Sequence, residues 1–139
     1  MGGEVLAKLA PVPLAVPSRL ATVEAEEKKG NWQTAGDYRE VAARVFLLVT
    51  APFFERESDR AKDGERQARL RAESPKYLKL ARESFARAAE NYARAAEEHA
   101  RRTDAQSARL AARCRRKAAE METEAGQVAL LVEARGPAR

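Results

Sequence analysis

Two side chain types suited to proton or bond chemistry occur once each, the imidazole of His99 and the thiol of Cys114. An imidazole titrates near neutrality and can act as a general base. Arg94, five residues earlier, carries a guanidinium that could hold an oxyanion beside it. Five helical residues turn the two side chains about 140° apart, so one helix face does not present both. His99 also repeats a position held by Phe85 and Tyr92, which gives it a packing role. Cys114 falls in the apolar row Ala111, Cys114, Ala118, Met121, Ala125 and Val128, and it reads as a small buried hydrophobe. About two helical turns, ~10 Å, separate it from His99 along a hairpin, which excludes a Cys–His dyad. The densest signal is cationic. Arg101, Arg102, Arg109, Arg113, Arg115, Arg116 and Lys117 share their stretch with one acid, Asp104. Arg102, Arg109, Arg113, Arg116 and Lys117 are the candidate partner-binding residues, a stripe that reads either as a solvated face or as a surface suited to carboxylates or phosphates. No aromatic residues are interleaved with it, and Glu120, Glu122 and Glu124 follow at once, which favours an acidic protein over nucleic acid. No glycine-rich phosphate loop or metal-ligand spacing is present, so no catalytic residue, cofactor or metal is expected.

The element that must position these residues is a run of three heptads, residues 81–87, 88–94 and 95–101. One slot holds Phe85, Tyr92 and His99, another Ala81, Ala88 and Ala95. A strict seven-residue apolar repeat seats one side of a helix against a partner helix. Glu83, Glu90 and Glu97 each precede Arg87, Arg94 and Arg101 by four residues, the order that favours ion pairing along a helix. Ser74 as cap and Pro75 at the first position predict a start there, and the helix runs to about Arg102. Thr103 and Gln106 have capping-box spacing, so a second heptad helix begins at Asp104 and Val128 to Val132 extends it. So short a turn makes an antiparallel hairpin. With the turn at Arg102–Thr103, facing residues sum to about 206. Tyr92 then lies level with Cys114, Phe85 with Met121 and Leu78 with Val128.

Upstream, residues 1–17 read as a proline-punctuated arm, and residues 18–132 as one helical domain. Ser18 offers a cap for a polar helix carrying Leu20 and Val23, which Gly30-Asn31 interrupts before Trp32. Gly36-Asp37-Tyr38 reads as a turn into a central apolar helix carrying Val41, Val45, Phe46, Leu48 and Val49. Pro52 ends it, and Thr50 caps a new helix with Phe53 and Phe54 near its start. The charged stretch 55–73 is a solvated helix or connector, weakest at Asp63-Gly64. Gly136-Pro137 ends the order, and 133–139 is a tail. The fold class is all-α, four or five helices as antiparallel hairpins, the long one at about 75–125.

The chain has 139 residues, 34% of them charged, with a formal charge of +5 and no isoleucine. Alanine dominates its apolar content, so large anchors are few and helices must approach closely. A single cysteine rules out an internal disulfide. Pro11, Pro13 and Pro17 break the apolar start, no basic segment precedes it, and nothing reaches membrane-spanning length. A cytoplasmic protein is expected. The apolar faces exceed what the polar first helix covers, which predicts a homo-oligomer or a partner helix.

Gly36-Asp37-Tyr38 resembles the inter-helix turn of tetratricopeptide repeats, with Trp32, Val41 and Pro52 near that family's aromatic, small and proline positions. Tyr92, Ala95, Ala96, His99 and Ala108 follow its spacing in the second half. Lys28, Lys29 and Ala112 depart from it. The three-helix microtubule-interacting-and-transport domain is similar as well. Both resemblances imply peptide or helix binding in a groove, and hence a non-catalytic interaction or scaffolding module. Arg94 with His99 matches the loose Arg-x(4–6)-His signature of the higher-eukaryote-and-prokaryote nucleotide-binding family, although Ala95 lacks the polar group usual there. That resemblance implies the alternative, a nucleic-acid-associated helical protein with RNA-cleaving activity through these two residues.

Overall fold

The computed structural model describes residues 21–135, all of it helix and connecting turns. The expected arm 1–17, Ser18, Leu20 and the Gly136-Pro137 stop lie outside the described residues. Helix α1 covers residues 21–28 and ends at Gly30, whose φ of 82° is the left-handed turn that a glycine enters without a Cβ clash. Helix α2 is Trp32–Val45. A π-helical segment, Phe46–Thr50, joins it without a break to α3, Ala51–Arg60. Helix α4 is Gly64–Ala100 and α5 is Ala105–Arg135. The α2–α3 run, α4 and α5 are three long antiparallel rods, and α4 packs against both of the others.

Helix α4 is the organising element, but it starts earlier than its sequence suggests. The cap is Asp63, whose carboxylate accepts from the Glu65 amide at 3.2 Å, with Gly64 as the first helical residue. Ser74 and Pro75 lie inside the helix. Proline removes only its own N–H, so the lost bond is the one to the Arg71 carbonyl, and Arg71 is exposed where water replaces it. Ser74 instead donates to Glu55 of α3 at 3.1 Å. The stretch 55–73 is therefore helical on both sides of a turn at 61–63, broken beside Asp63-Gly64 as anticipated. Gln67 and Ser58 exchange two hydrogen bonds across that turn, 3.2 and 3.3 Å.

The expected break at Thr50-Pro52 is replaced by the π segment. The Ala51 amide reaches back five residues to the Phe46 carbonyl, and Thr50 stays helical without a side-chain cap bond. One wide turn lets the chain pass Pro52 without stopping. Phe53 and Phe54 do pack near there: Phe54 stacks on Tyr77 at 5.4 Å, and Phe46 lies 5.9 Å from the same ring. Gly36-Asp37-Tyr38 is likewise helix rather than turn. A Cβ at Gly36 would sit 3.0 Å from the Tyr92 ring, so glycine is there for close approach.

The core follows the heptads. Ala81, Phe85, Ala88 and Tyr92 of α4, Ala42, Ala43 and Phe46 of the α2 run, and Met121 and Val128 of α5 form one buried cluster. Leu78 is also buried. Alanines on both faces of α4 let two neighbours approach at once, which makes it the central helix. The apolar α2 segment is not central: Val41, Leu48 and Val49 are 43%, 63% and 46% exposed. The α4–α5 hairpin is present, Phe85 and Met121 share the buried cluster as the register expects, and Cys114 packs with Ala95, Ala96 and Trp32. Tyr92 aims at α2, and what approaches its ring from α5 is the Lys117 ammonium, 5.9 Å from the centroid. The anticipated pairs Glu83–Arg87, Glu90–Arg94 and Glu97–Arg101 do not close, and Arg94 lies over Trp32 instead, 4.6 Å from its centroid.

Ala88 has no exposed surface. Ala88→Leu should therefore destabilise the bundle by about 1–3 kcal/mol through overpacking, read as a lower urea midpoint. An unchanged midpoint would show that α4 is not closely packed at this level.

Candidate functional site

The basic stripe sits where α5 begins. Asp104 fixes that start by accepting from the Ser107 amide and hydroxyl, both at 2.8 Å, so the cap is Asp104 rather than Thr103. Its carboxyl is held below the usual 3.8, first by the Ser107 hydroxyl and then by the Ser107 amide. Arg102 in the connector and Arg109, Arg113 and Arg116 on α5 are exposed, and among the described residues none is in an ion pair. The α-helical step places the last three within one narrow band. Lys117 departs from them. It crosses to α2 and binds Glu40 at 3.0 Å, so its charge is committed to a contact between helices.

That contact is part of a polar cluster which the sequence did not signal. The Tyr92 hydroxyl donates to Asp37 at 2.6 Å or to Glu40 at 2.9 Å, and Arg44 reaches Glu40 at 3.2 Å. Burial opposes ionisation of Glu40, yet the hydrogen bonds from Lys117 and Tyr92 hold its carboxyl below the ordinary 4.5. Burial first, then the hydrogen bonds to Asp37 and Glu40, push the Tyr92 phenol far above its ordinary 10.0. The spacing Asp37-x-x-Glu40, one helical turn, was the available signal, but it has meaning only opposite a tyrosine 52 residues away.

A second polar cluster joins α1, α2 and α4. Glu27 takes Arg39 on one oxygen and the Asn91 amide on the other, both at 2.7 Å. Burial opposes the charge on Glu27, but Asn91 and Arg39 hold its carboxyl below 4.5. Asn91 Oδ1 and Arg39 Nε are buried without hydrogen-bond partners.

The chemical candidates are dispersed. His99 is half-buried, with Nε2 3.1 Å from Gln33 Oε1 and Nδ1 buried without a partner. Arg94 lies on Trp32, so the two contact successive residues of α2 and are not joined to each other. Cys114 is 1% exposed, and its thiol is pushed up by burial and then by Asp37. Among the described residues no His, Cys, Asp or Glu cluster could hold a metal, and no helix is long and apolar enough to cross a membrane. Comparison with known protein families, curated proteins and solved structures found no match.

The pH dependence follows from the two clusters. Glu27 and Glu40 have depressed folded-state values, so their contribution is present above about pH 4.5 and lost as pH falls through those values. Tyr92 has a raised value, so its contribution is complete below pH 10 and declines as pH rises above it. Tyr92→Phe should cost about 1.5–3 kcal/mol at pH 7, the range for hydrogen bonds to charged groups. It should also remove much of the alkaline decline that urea melts of the parent should show as pH rises above 10. An identical alkaline slope in the variant would rule out Tyr92 as its source.

Proposed function

We propose that this protein is a non-catalytic interaction module that holds an acidic protein or peptide partner along the outer face of α5. The observation that carries this reading is the set of four exposed arginines, Arg102, Arg109, Arg113 and Arg116, none ion-paired among the described residues. Guanidinium groups on a rigid helix lose less freedom on binding than groups on a loop, and their planar forks suit paired carboxylates. A helix-sized partner is what the microtubule-interacting-and-transport resemblance implies. Tyr38, Val41, Leu48 and Val49 on the exposed side of the α2 run add an apolar surface suited to scaffolding or self-association. A cytoplasmic setting goes with this reading.

The alternative, a nucleic-acid-associated protein, would use the same cations. Both bindings weaken with salt, so tighter binding of RNA than of an acidic peptide at the same physiological ionic strength would favour it, and the reverse favours the module. Replacing Arg109, Arg113 and Arg116 together with alanine should leave helicity intact, since the sites are exposed and alanine favours helix. It should weaken an acidic glutamate-rich helical peptide about tenfold or more, at roughly 0.5–1 kcal/mol per exposed contact. Circular dichroism and fluorescence anisotropy with a labelled peptide check both outcomes. Unchanged affinity would remove the stripe from the function.

A further inference from the structure

An open groove of about 460 Å³ lies between α1 and α4, with Trp32 at the start of α2 at one end. Glu24, Glu27 and Lys28 line it from α1, and Glu90, Asn91 and Arg94 from α4, so its three carboxylates outnumber its two cations. Asn91 is 2% exposed and anchored through its Nδ2 to Glu27, so its orientation is fixed, and its Oδ1 has no donor. A buried amide oxygen without a donor forgoes a hydrogen bond in a low-dielectric place, where making one gains most. The Trp32 ring carries the Arg94 guanidinium over its face at 4.6 Å. Arg94 is exposed and in no ion pair among the described residues, although Glu90 stands one turn before it.

From these observations we infer that the groove is a receptor for a guanidinium group, which displaces Arg94 from Trp32. The incoming group stacks on the indole face, donates to Asn91 Oδ1 and faces the carboxylates of Glu24 and Glu90. Arg94 is the chain's own stand-in for that group. It shows that the Trp32 face takes a guanidinium. Stacking on tryptophan combined with hydrogen bonding to fixed acceptors selects a planar cation over a compact ammonium. This site is on a different part of the surface from the α5 stripe and has the opposite preference in charge, so neither reading depends on the other.

Trp32 is the only tryptophan in the chain, which makes it a direct reporter of this groove. The experiment titrates the full chain with agmatine, with a short peptide containing one central arginine, and with the same peptide carrying citrulline in its place. Trp32 emission and calorimetry are the readouts. A saturable change with agmatine, the arginine peptide or both, and none with citrulline, is the expected result. Binding of the peptide alone identifies a partner's side chain as the source, and binding of agmatine identifies the free group. Arg94→Ala should tighten binding about threefold or more by uncovering the ring and removing a like charge. Glu24→Gln and Glu90→Gln should each weaken it by about threefold, as partly screened single charges do. Asn91→Leu should weaken it about tenfold, the worth of one good hydrogen bond to a charged group. The two glutamine variants keep the test decisive if Asn91→Leu does not fold. No saturable signal with either guanidinium, equal binding of the citrulline peptide, or weaker binding by Arg94→Ala would overturn the inference.

Discussion

The bundle depends on how one tyrosine hydroxyl is received. Tyr92 is 1% exposed and carries a polar atom into the middle of an alanine-rich core. A phenol there is tolerable only with an acceptor, and α2 supplies two, Asp37 and Glu40. Two carboxylates beside one neutral donor would in turn be a poor arrangement, and Lys117 of α5 supplies the compensating charge. Gly36 completes the arrangement, because any Cβ at that position would meet the ring. Five residues on three helices thus fix the angle and height at which the rods meet. An apolar core of small side chains leaves such details loosely specified, and this polar contact removes the freedom.

The heptad hairpin was legible because its cause is local and repeated. A seven-residue apolar period is a property of one segment, and the helices α4 and α5 follow it. The helix start at Pro75 was misread for the opposite reason. A Ser-Pro pair is a start signal only when nothing upstream holds the chain helical, and here Asp63-Gly64 caps eleven residues earlier while Ser74 bonds to α3. Gly36-Asp37-Tyr38 has turn composition, yet each residue is used against Tyr92 or the helix exterior. Its glycine answers to a ring more than fifty residues away, which no local pattern encodes.

The surface features divide in the same manner. A stripe of arginines poor in acids can be read from one helix, and Arg109, Arg113 and Arg116 do face solvent. Lys117 has the same local context, but its partner is on another helix, so its role was hidden. The groove at Trp32 was also hidden, since its walls come from α1 and α4 and their hydrogen-bonded pair Glu27–Asn91 is 64 residues apart in sequence. The spacing of Arg94 from Glu90 favours a helical ion pair, yet Arg94 takes the Trp32 face instead.

The wide turn at Phe46–Thr50 sets the phase of the rod beyond it. A π turn holds one residue more than an α turn, so each residue after it points in a different direction from the one an unbroken α-helix would give. With that phase Thr50 and Ala51 face inward, while Leu48 and Val49 face solvent. The rod thus trades regularity for a two-sided character, keeping a small-residue seam within and leaving a greasy strip on its outer side.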